Sequence, residues 1–122
     1  MVNAQEKAII PAFVDSHAHM VWAGDRSNEI TLRSKGLDYS EISNLGGGIR
    51  KTVSQTRRAT RSELSDLFVH RLRSAKALGT ARIECKSGYG LDVSNEIQAL
   101  EVMGISHAPV SYTHLRAHET RL

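Results

Sequence analysis

The sequence predicts an α/β fold built around a strand, a helix and a second strand. Residues 12–16 form a short extended run of mainly apolar residues behind Pro11. Residues 60–78 carry apolar side chains at helical spacing, and residues 80–86 alternate between apolar and charged side chains. Strand, helix and strand at this spacing are typical of the βαβ unit of a parallel sheet.

Two histidines follow the first strand at a spacing of two residues. Successive side chains of a strand point to opposite faces, so His17 and His19 share one face with Asp15. Two imidazoles about 7 Å apart along a strand can converge on a single ion. Such a pair also arises by chance in a chain with six histidines. The apolar run before it and the helix-forming segment after it favour a metal site.

Two short helical pieces are predicted between residues 27 and 45. The first ends at Gly36, and the second begins at a cap supplied by Asp38 or Ser40. The three glycines at 46–48 do not fit the known phosphate-binding patterns. Two interpretations of the glycines stay open: a flexible loop, or backbone that approaches a ligand closely.

The most regular helix is predicted between Thr60 and Gly79. Thr60 and Glu63 have the spacing of a capping box, and His70 lies beside the apolar stripe, as a surface histidine would. The stripe itself consists of Leu64, Leu67, Phe68, Leu72, Ala75 and Leu78.

The alternating segment 80–86 and the segment after it predict a strand followed by a helix. Alternation indicates one solvated face, or a polar barrel interior lined by Glu84 and Lys86. The last helix is predicted over residues 93–103. Its apolar face is predicted to contain Val93, Ile97, Leu100 and Met103.

Composition limits the classes of function. The 122 residues suffice for one small domain, and the net charge is +3 with 5% aromatic residues. The one basic cluster, Arg57, Arg58 and Arg61, is better interpreted as a solvated helical face than as a nucleic-acid surface. The single Cys85 fits a reducing compartment. With no signal pattern and no long apolar run, these features predict a cytoplasmic chain.

Four ordered blocks carry a resemblance to a known family. Residues 11–19 resemble the first barrel strand of the amidohydrolase superfamily. Residues 21–29, residues 46–57 and residues 86–92 are similar, in order and spacing, to the imidazolonepropionase family of histidine degradation. The resemblance covers about residues 8–104 and stops after Gly104.

This resemblance implies a fold and a domain organisation. A complete (β/α)₈ TIM barrel takes roughly 250 residues. The chain would therefore hold only the first strands and helices of a barrel of the metal-dependent hydrolase type. Residues 1–10 would be the remnant of an N-terminal β-domain, and residues 11–104 the first part of the barrel. Residues 105–122 resemble translated adaptor or vector sequence, and we expect them to be disordered. His114 and His118 lie in that segment and are not counted as a metal site.

The resemblance also implies an activity. Imidazolonepropionases hydrolyse the cyclic amide of 4-imidazolone-5-propanoate to N-formimidoyl-L-glutamate, using one divalent metal ion, Zn²⁺ or Fe²⁺/Fe³⁺. By position, His17 and His19 match metal ligands, and Arg26 and Tyr89 match substrate-binding residues. The remaining ligands and catalytic groups would lie beyond residue 122, so we expect this chain alone to be inactive.

The implied partner is a small-molecule substrate, with neither nucleic acid nor membrane, and a full-length relative could be a homodimer. Two alternatives stay open. The first is another amidohydrolase, such as a dihydroorotase or a nucleobase deaminase. The second is a small basic binding module that uses the arginine cluster.

Overall fold

A parallel pair of strands joined by helices forms the centre of the fold. The structure is a computed structural model that describes residues 5–105 and residues 111–112. Its elements, in chain order, are β1 (Phe13–Ala18), α1 (Asn28–Ser34), α2 (Tyr39–Asn44), α3 (Gly48–Arg58), α4 (Arg61–Ala77), β2 (Thr80–Cys85), α5 (Val93–Ile105) and β3 (Ser111–Tyr112). The predicted α/β class is confirmed.

The sheet has the order β1-β2-β3, and both pairs of neighbouring strands are parallel. Phe13 lies opposite Thr80 at one end, and Ala18 lies opposite Cys85 at the other. The predicted βαβ arrangement is therefore confirmed for β1, α4 and β2. Because the two strands run in the same direction, the loops after β1 and β2 meet at one edge of the sheet.

Helices α4 and α5 cover one side of this sheet and enclose the core. Phe68, Val102 and Met103 are fully buried, and Ile83 and Cys85 contribute the inward face of β2. The partners of α4 in this cluster include Val21 and Ala23, which belong to the loop after β1. The core therefore fixes the beginning of that loop as well as the helices.

Helix α4 begins at the predicted capping box. The backbone N–H of Thr60 donates to Glu63 Oε2 at 2.7 Å, and the backbone N–H of Glu63 donates to Thr60 Oγ1 at 3.2 Å. His70 is exposed, as predicted. Leu78, however, is 80% exposed, because it follows the last helical residue and turns away from the apolar stripe.

Helix α3 was not predicted from the sequence. It begins at Gly48, so the three glycines mark a helix start, which neither sequence interpretation anticipated. Close packing favours glycine at position 47, since a Cβ there would lie 2.7 Å from the Cγ2 atom of Ile42. The buried face of α3 includes Thr52 and Thr56, whose polarity concealed the helical pattern.

The sequence had suggested that the arginine cluster forms one helical face, and this prediction is wrong. Arg57 and Arg58 end α3, whereas Arg61 begins α4, and the extended backbone at Ala59 separates the two helices. The break follows from the capping box at Thr60, which starts a new helix there.

Helix α5 is close to its predicted bounds, and half of its predicted apolar face is confirmed. Met103 is fully buried and Leu100 packs against the core, whereas Val93 is 77% exposed and Ile97 is 44% exposed. The inward face also carries Ala99, Val102 and a buried glutamate, Glu96, none of which was predicted there. That carboxylate binds the backbone of the preceding loop, and the helix is rotated to bring it inward.

The two ends of the chain leave several predictions open. Ile9 and Ile10 are exposed and lie outside any strand, and their assignment to a β-domain remnant stays a prediction. Residues 106–110 and 113–122, including His114 and His118, lie outside the described residues. The foreign origin of residues 105–122 therefore stays a prediction. Within the described ranges, no helix is both long and apolar enough to cross a membrane.

A pair of leucines on α4 tests this packing. Leu64 is 2% exposed and Leu78 is 80% exposed. We expect Leu64→Ala to lower the free energy of unfolding by about 2–5 kcal/mol, because it leaves a cavity. Leu78→Ala, the matched control, should change it by less than about 0.5 kcal/mol. Urea unfolding followed by circular dichroism measures both, and equal losses would contradict this placement of α4.

Candidate functional site

The predicted site residues lie at the edge of the sheet where β1 and β2 end. His17 belongs to β1 and His19 follows it, while Tyr89 lies on the loop after β2. The backbone N–H of Lys86 donates to the carbonyl oxygen of Ala18 at 2.9 Å and joins these two segments beyond the strand ends. Loops at the carboxyl ends of parallel strands carry the active site in α/β enzymes.

The two histidine side chains converge. Their Nε2 atoms are 3.2 Å apart, and the rings meet edge to face with centroids 5.1 Å apart. The β1–β2 register shifts between Asp15 and Ala18, so His17 lies within a strand irregularity. Such irregularities redirect side chains near active sites. Two nitrogens bound tetrahedrally to one Zn²⁺ would lie about 3.3–3.4 Å apart, close to the observed separation.

The surroundings of His19 favour its neutral form. Desolvation and, to a lesser extent, the nearby His17 hold the pKa of His19 below its usual value. Its Nδ1 atom is buried and has no hydrogen-bond partner among the described residues. A Cβ at Gly88, where φ is +157°, would lie 2.7 Å from that ring, so glycine allows the close approach. Neutral imidazole is the form that binds metal ions.

The described residues do not form a complete metal site. Within residues 5–105 and 111–112, no group of three or more histidine, cysteine, aspartate or glutamate side chains could hold an ion. The two imidazoles fit a metal in chemistry and spacing, but a catalytic zinc ion typically takes three protein ligands.

Tyr89 lies next to His19. The two rings meet edge to face with centroids 5.9 Å apart, and the Trp22 ring centroid lies 6.2 Å from that of Tyr89. The loop that carries Tyr89 is held at its backbone by Glu96, whose Oε1 accepts from the N–H groups of Gly90 and Leu91 at 2.9 and 2.8 Å. Glu96 thus fixes the loop from inside the fold.

Arg57 holds the same loop from outside. Its Nε donates to the carbonyl oxygen of Gly90 at 2.6 Å, and its Nη2 lies 3.1 Å from Asp92 Oδ2. Hydrogen bonds from Asn95 and Ser94, together with Arg57, lower the pKa of Asp92 to about 2. Arg61 is paired in turn with Glu101 at 3.2 Å. Because these two arginines already have partners, the basic binding module finds little support in the arrangement.

Arg26 forms a two-pronged ion pair with Glu29. Its Nε donates to Oε1 at 2.9 Å and its Nη2 donates to Oε2 at 2.7 Å. Glu29 is only 5% exposed, and its Oε1 also accepts from the N–H of Gly48 at 2.8 Å. The Arg26 bonds, followed by that of Gly48, lower the pKa of Glu29 to about 2.

Neither Glu29 nor Glu96 was among the site residues predicted from the sequence. In the structure both carboxylates are buried and hold backbone N–H groups of loops at the site. Their only sequence signal is proximity to the motif residues: Glu29 lies three positions after Arg26, and Glu96 lies in the first turn of α5.

The bonds with Glu29 use only one edge of the Arg26 guanidinium. The Nη1 atom and the second hydrogen of Nη2 take no part in them, and the Arg26 side chain is 34% exposed. Bonding to Glu29 is the main cause of a raised pKa of Arg26, and through-space contributions from Tyr39 and Tyr89 are smaller.

A β-α-β unit with histidine, tyrosine and arginine side chains at its carboxyl edge has the arrangement of an α/β enzyme. Comparison with known proteins narrows this class. No protein-family model matches the chain. The chain is, however, 44% identical to the imidazolonepropionase of Aliivibrio fischeri, over 97% of its own residues and 30% of that protein. It is 41% identical to a probable imidazolonepropionase of Xenopus tropicalis, over 97% of the chain and 28% of that protein.

A shorter match is found with a probable imidazolonepropionase of Homo sapiens, which is 44% identical over 84% of the chain and 24% of that protein. The predicted resemblance to imidazolonepropionases is thereby confirmed, and the chain spans about 30% or less of the length of these relatives. The longer matches omit only a few residues and so include part of 105–122.

Acid should weaken the Glu29 contacts. A folded-state pKa of about 2 against an ordinary 4.5 means that Glu29 stabilises the fold fully above about pH 4.5 and loses that contribution towards pH 2. In Glu29→Gln, we expect the loss of stability between pH 7 and pH 3 to be smaller than in the unchanged chain. Urea midpoints at both values measure it.

Glu101→Gln is the matched control, because Glu101 belongs to an exposed ion pair. Protonation of Asp92 at low pH also lowers stability, but it does so equally in all three proteins. A Glu29→Gln chain as acid-sensitive as the Glu101→Gln chain would rule out a special role for Glu29.

Proposed function

We propose that the chain forms the first part of an imidazolonepropionase, which hydrolyses 4-imidazolone-5-propanoate to N-formimidoyl-L-glutamate in histidine degradation. The observation that carries this proposal is the 41–44% identity to proteins of that name over 97% of the chain. The convergence of His17 and His19 at the carboxyl edge supports it. The named relatives are all imidazolonepropionases or probable ones, and no observation favours a dihydroorotase or deaminase.

The proposal includes the larger fold. A parallel βαβ unit whose loops carry the site at one edge is the repeating element of a (β/α)₈ barrel. The chain spans less than a third of its relatives, so the rest of such a barrel would come from further sequence. A cytoplasmic location fits the single cysteine, whose burial raises the pKa of its thiol to about 11 and leaves it unreactive.

The proposed metal-binding residues are His17 and His19. A bound Zn²⁺ or iron ion would supply Lewis acidity and a water of lowered pKa. The Nε2 atoms of the two imidazoles are 3.2 Å apart, and burial favours the neutral form of His19. This spacing and this protonation state match the role of metal ligands. Gly88 would let the backbone of the next loop pack against the His19 ring.

Arg26 is the proposed partner of the propanoate carboxylate. Its free guanidinium edge can form two parallel hydrogen bonds with a carboxylate, while Glu29 holds the opposite edge. Tyr89, whose ring neighbours are His19 and Trp22, would contact the imidazolone ring. Substrate would thus be oriented by its charged end, with its ring directed to the histidines.

Zinc binding by the chain itself tests the histidine assignment. We expect weak binding, because two imidazoles leave an ion largely bound by water, and His17→Ala should abolish it. Calorimetric titration with ZnCl₂ measures the affinity, with His70→Ala as control because His70 is an exposed histidine on α4. Tight binding that survives His17→Ala but is lost in His114→Ala would place the site elsewhere.

The proposed function is tested by enzyme kinetics. The protein used is one in which the chain is continued to the full length of its relatives. Arg26→Ala should keep its metal content and lose about 2–3 kcal/mol of transition-state binding, roughly 30- to 150-fold in kcat/KM. His19→Ala should lose metal and turnover together. Normal kcat/KM in Arg26→Ala would contradict the carboxylate assignment, and full metal occupancy in His19→Ala would contradict the ligand assignment.

A further inference from the structure

A half-buried arginine on α4, Arg71, holds the loop that follows β1. The Nη1 atom of Arg71 donates to the carbonyl oxygens of Met20 and Trp22, both at 2.8 Å. The same guanidinium lies over the indole of Trp22, with its central carbon 3.6 Å from the ring centroid. Arg71 therefore fixes both the backbone and the side chain of Trp22.

These contacts suit a charged group better than an apolar one. The loop carbonyls lie beyond the end of β1 and are left without strand partners, and buried carbonyl groups require donors. A guanidinium supplies several donors in a fixed plane and stacks on aromatic faces. Burial lowers the pKa of Arg71, but an arginine keeps its charge under these conditions.

From Trp22 a continuous series of ring contacts leads to the candidate site. The Trp22 and Tyr89 centroids are 6.2 Å apart, those of Tyr89 and His19 are 5.9 Å apart, and those of His19 and His17 are 5.1 Å apart. The Tyr89 ring thus has both Trp22 and His19 as aromatic neighbours. The backbone just after Tyr89 is held separately by Glu96, through the N–H groups of Gly90 and Leu91.

We propose that Arg71 is a positioning residue that holds Trp22, and through Trp22 the Tyr89 ring, in place against His19. The described contacts of Arg71 are with the Met20 and Trp22 carbonyl groups and the Trp22 ring, so its effect on the histidines would pass through the rings. The part of this proposal that concerns catalysis rests on the proposed function. The part that concerns ring placement does not, and the two can be tested separately.

Ring placement is tested in the chain itself, because Trp22 is its single tryptophan. In Arg71→Met, which keeps length but removes charge, we expect indole emission at longer wavelength and stronger acrylamide quenching. Arg71→Lys should restore the original spectrum in part. Arg73→Met is the matched control, since Arg73 is exposed on the same helix and should leave the emission unchanged. An unchanged Arg71→Met spectrum would overturn the proposal.

Catalysis is tested in the protein continued to the length of its relatives. We expect Arg71→Met to lower kcat/KM by roughly 10- to 100-fold, because displaced groups lose near-attack geometry, while metal content stays the same. Trp22→Leu should give a similar loss. The double variant should lose no more than either single one, since both remove the same support.

The outcomes separate the two proposals. Additive losses in the double variant would overturn the action of Arg71 through Trp22. The proposal would also be overturned if the loss of kcat/KM in Arg71→Met followed thermal stability alone and Arg73→Met were equally affected. If the unchanged long protein fails to hydrolyse 4-imidazolone-5-propanoate, the proposed function fails, while the emission experiment still decides whether Arg71 positions Trp22.

Discussion

The parallel pairing of β1 with β2 is the interaction on which the arrangement of the site depends. It places the end of the histidine strand beside the start of the tyrosine loop, although some seventy residues separate them in sequence. A one-residue slip would turn each β1 side chain to the opposite face. The close approach of Gly88 to His19 and the contact of Tyr89 with the same ring both require the observed register.

Charged side chains, in addition to the apolar contacts of Val21 and Ala23, hold the loops of this unit. Glu29 binds the start of α3, Glu96 binds the loop after β2, and Arg71 binds the loop after β1. Each serves backbone groups that have no partner in a helix or strand. Such groups cannot be buried unsatisfied without a large cost, so irregular loops inside a fold need polar side chains beneath them. The rigidity of the site thus comes from residues behind it.

The sequence predicted those elements in which local pattern and tertiary environment agree. The capping box at Thr60, the alternation of β2 and the Asp38 cap all have short-range causes and were confirmed. Helix α3 was not predicted because threonines occupy its buried face. One of them, Thr56, accepts a hydrogen bond from the Ala23 N–H. The inward face of α5 was predicted only in part because it contains Glu96. The hydrogen-bond partners of Glu96 lie in a loop, and from the sequence alone a glutamate is expected to face solvent. The histidine pair was predicted from strand spacing. The contacts of Arg71 lie 49 and 51 positions away in the sequence, so no local pattern indicates them. Glu96 accepts from residues only five and six positions before it, but an inward glutamate in a first helical turn looks the same in sequence as an exposed one.

The position of β1 in the sheet has a practical consequence for handling the isolated chain. Within the described residues β1 is an edge strand, and Phe13 and Val14 on it are 58% and 69% exposed. An uncovered strand edge with apolar side chains is a template for pairing with a second molecule. We therefore expect concentrated preparations of this chain to aggregate through β1, and Val14→Lys to reduce that aggregation.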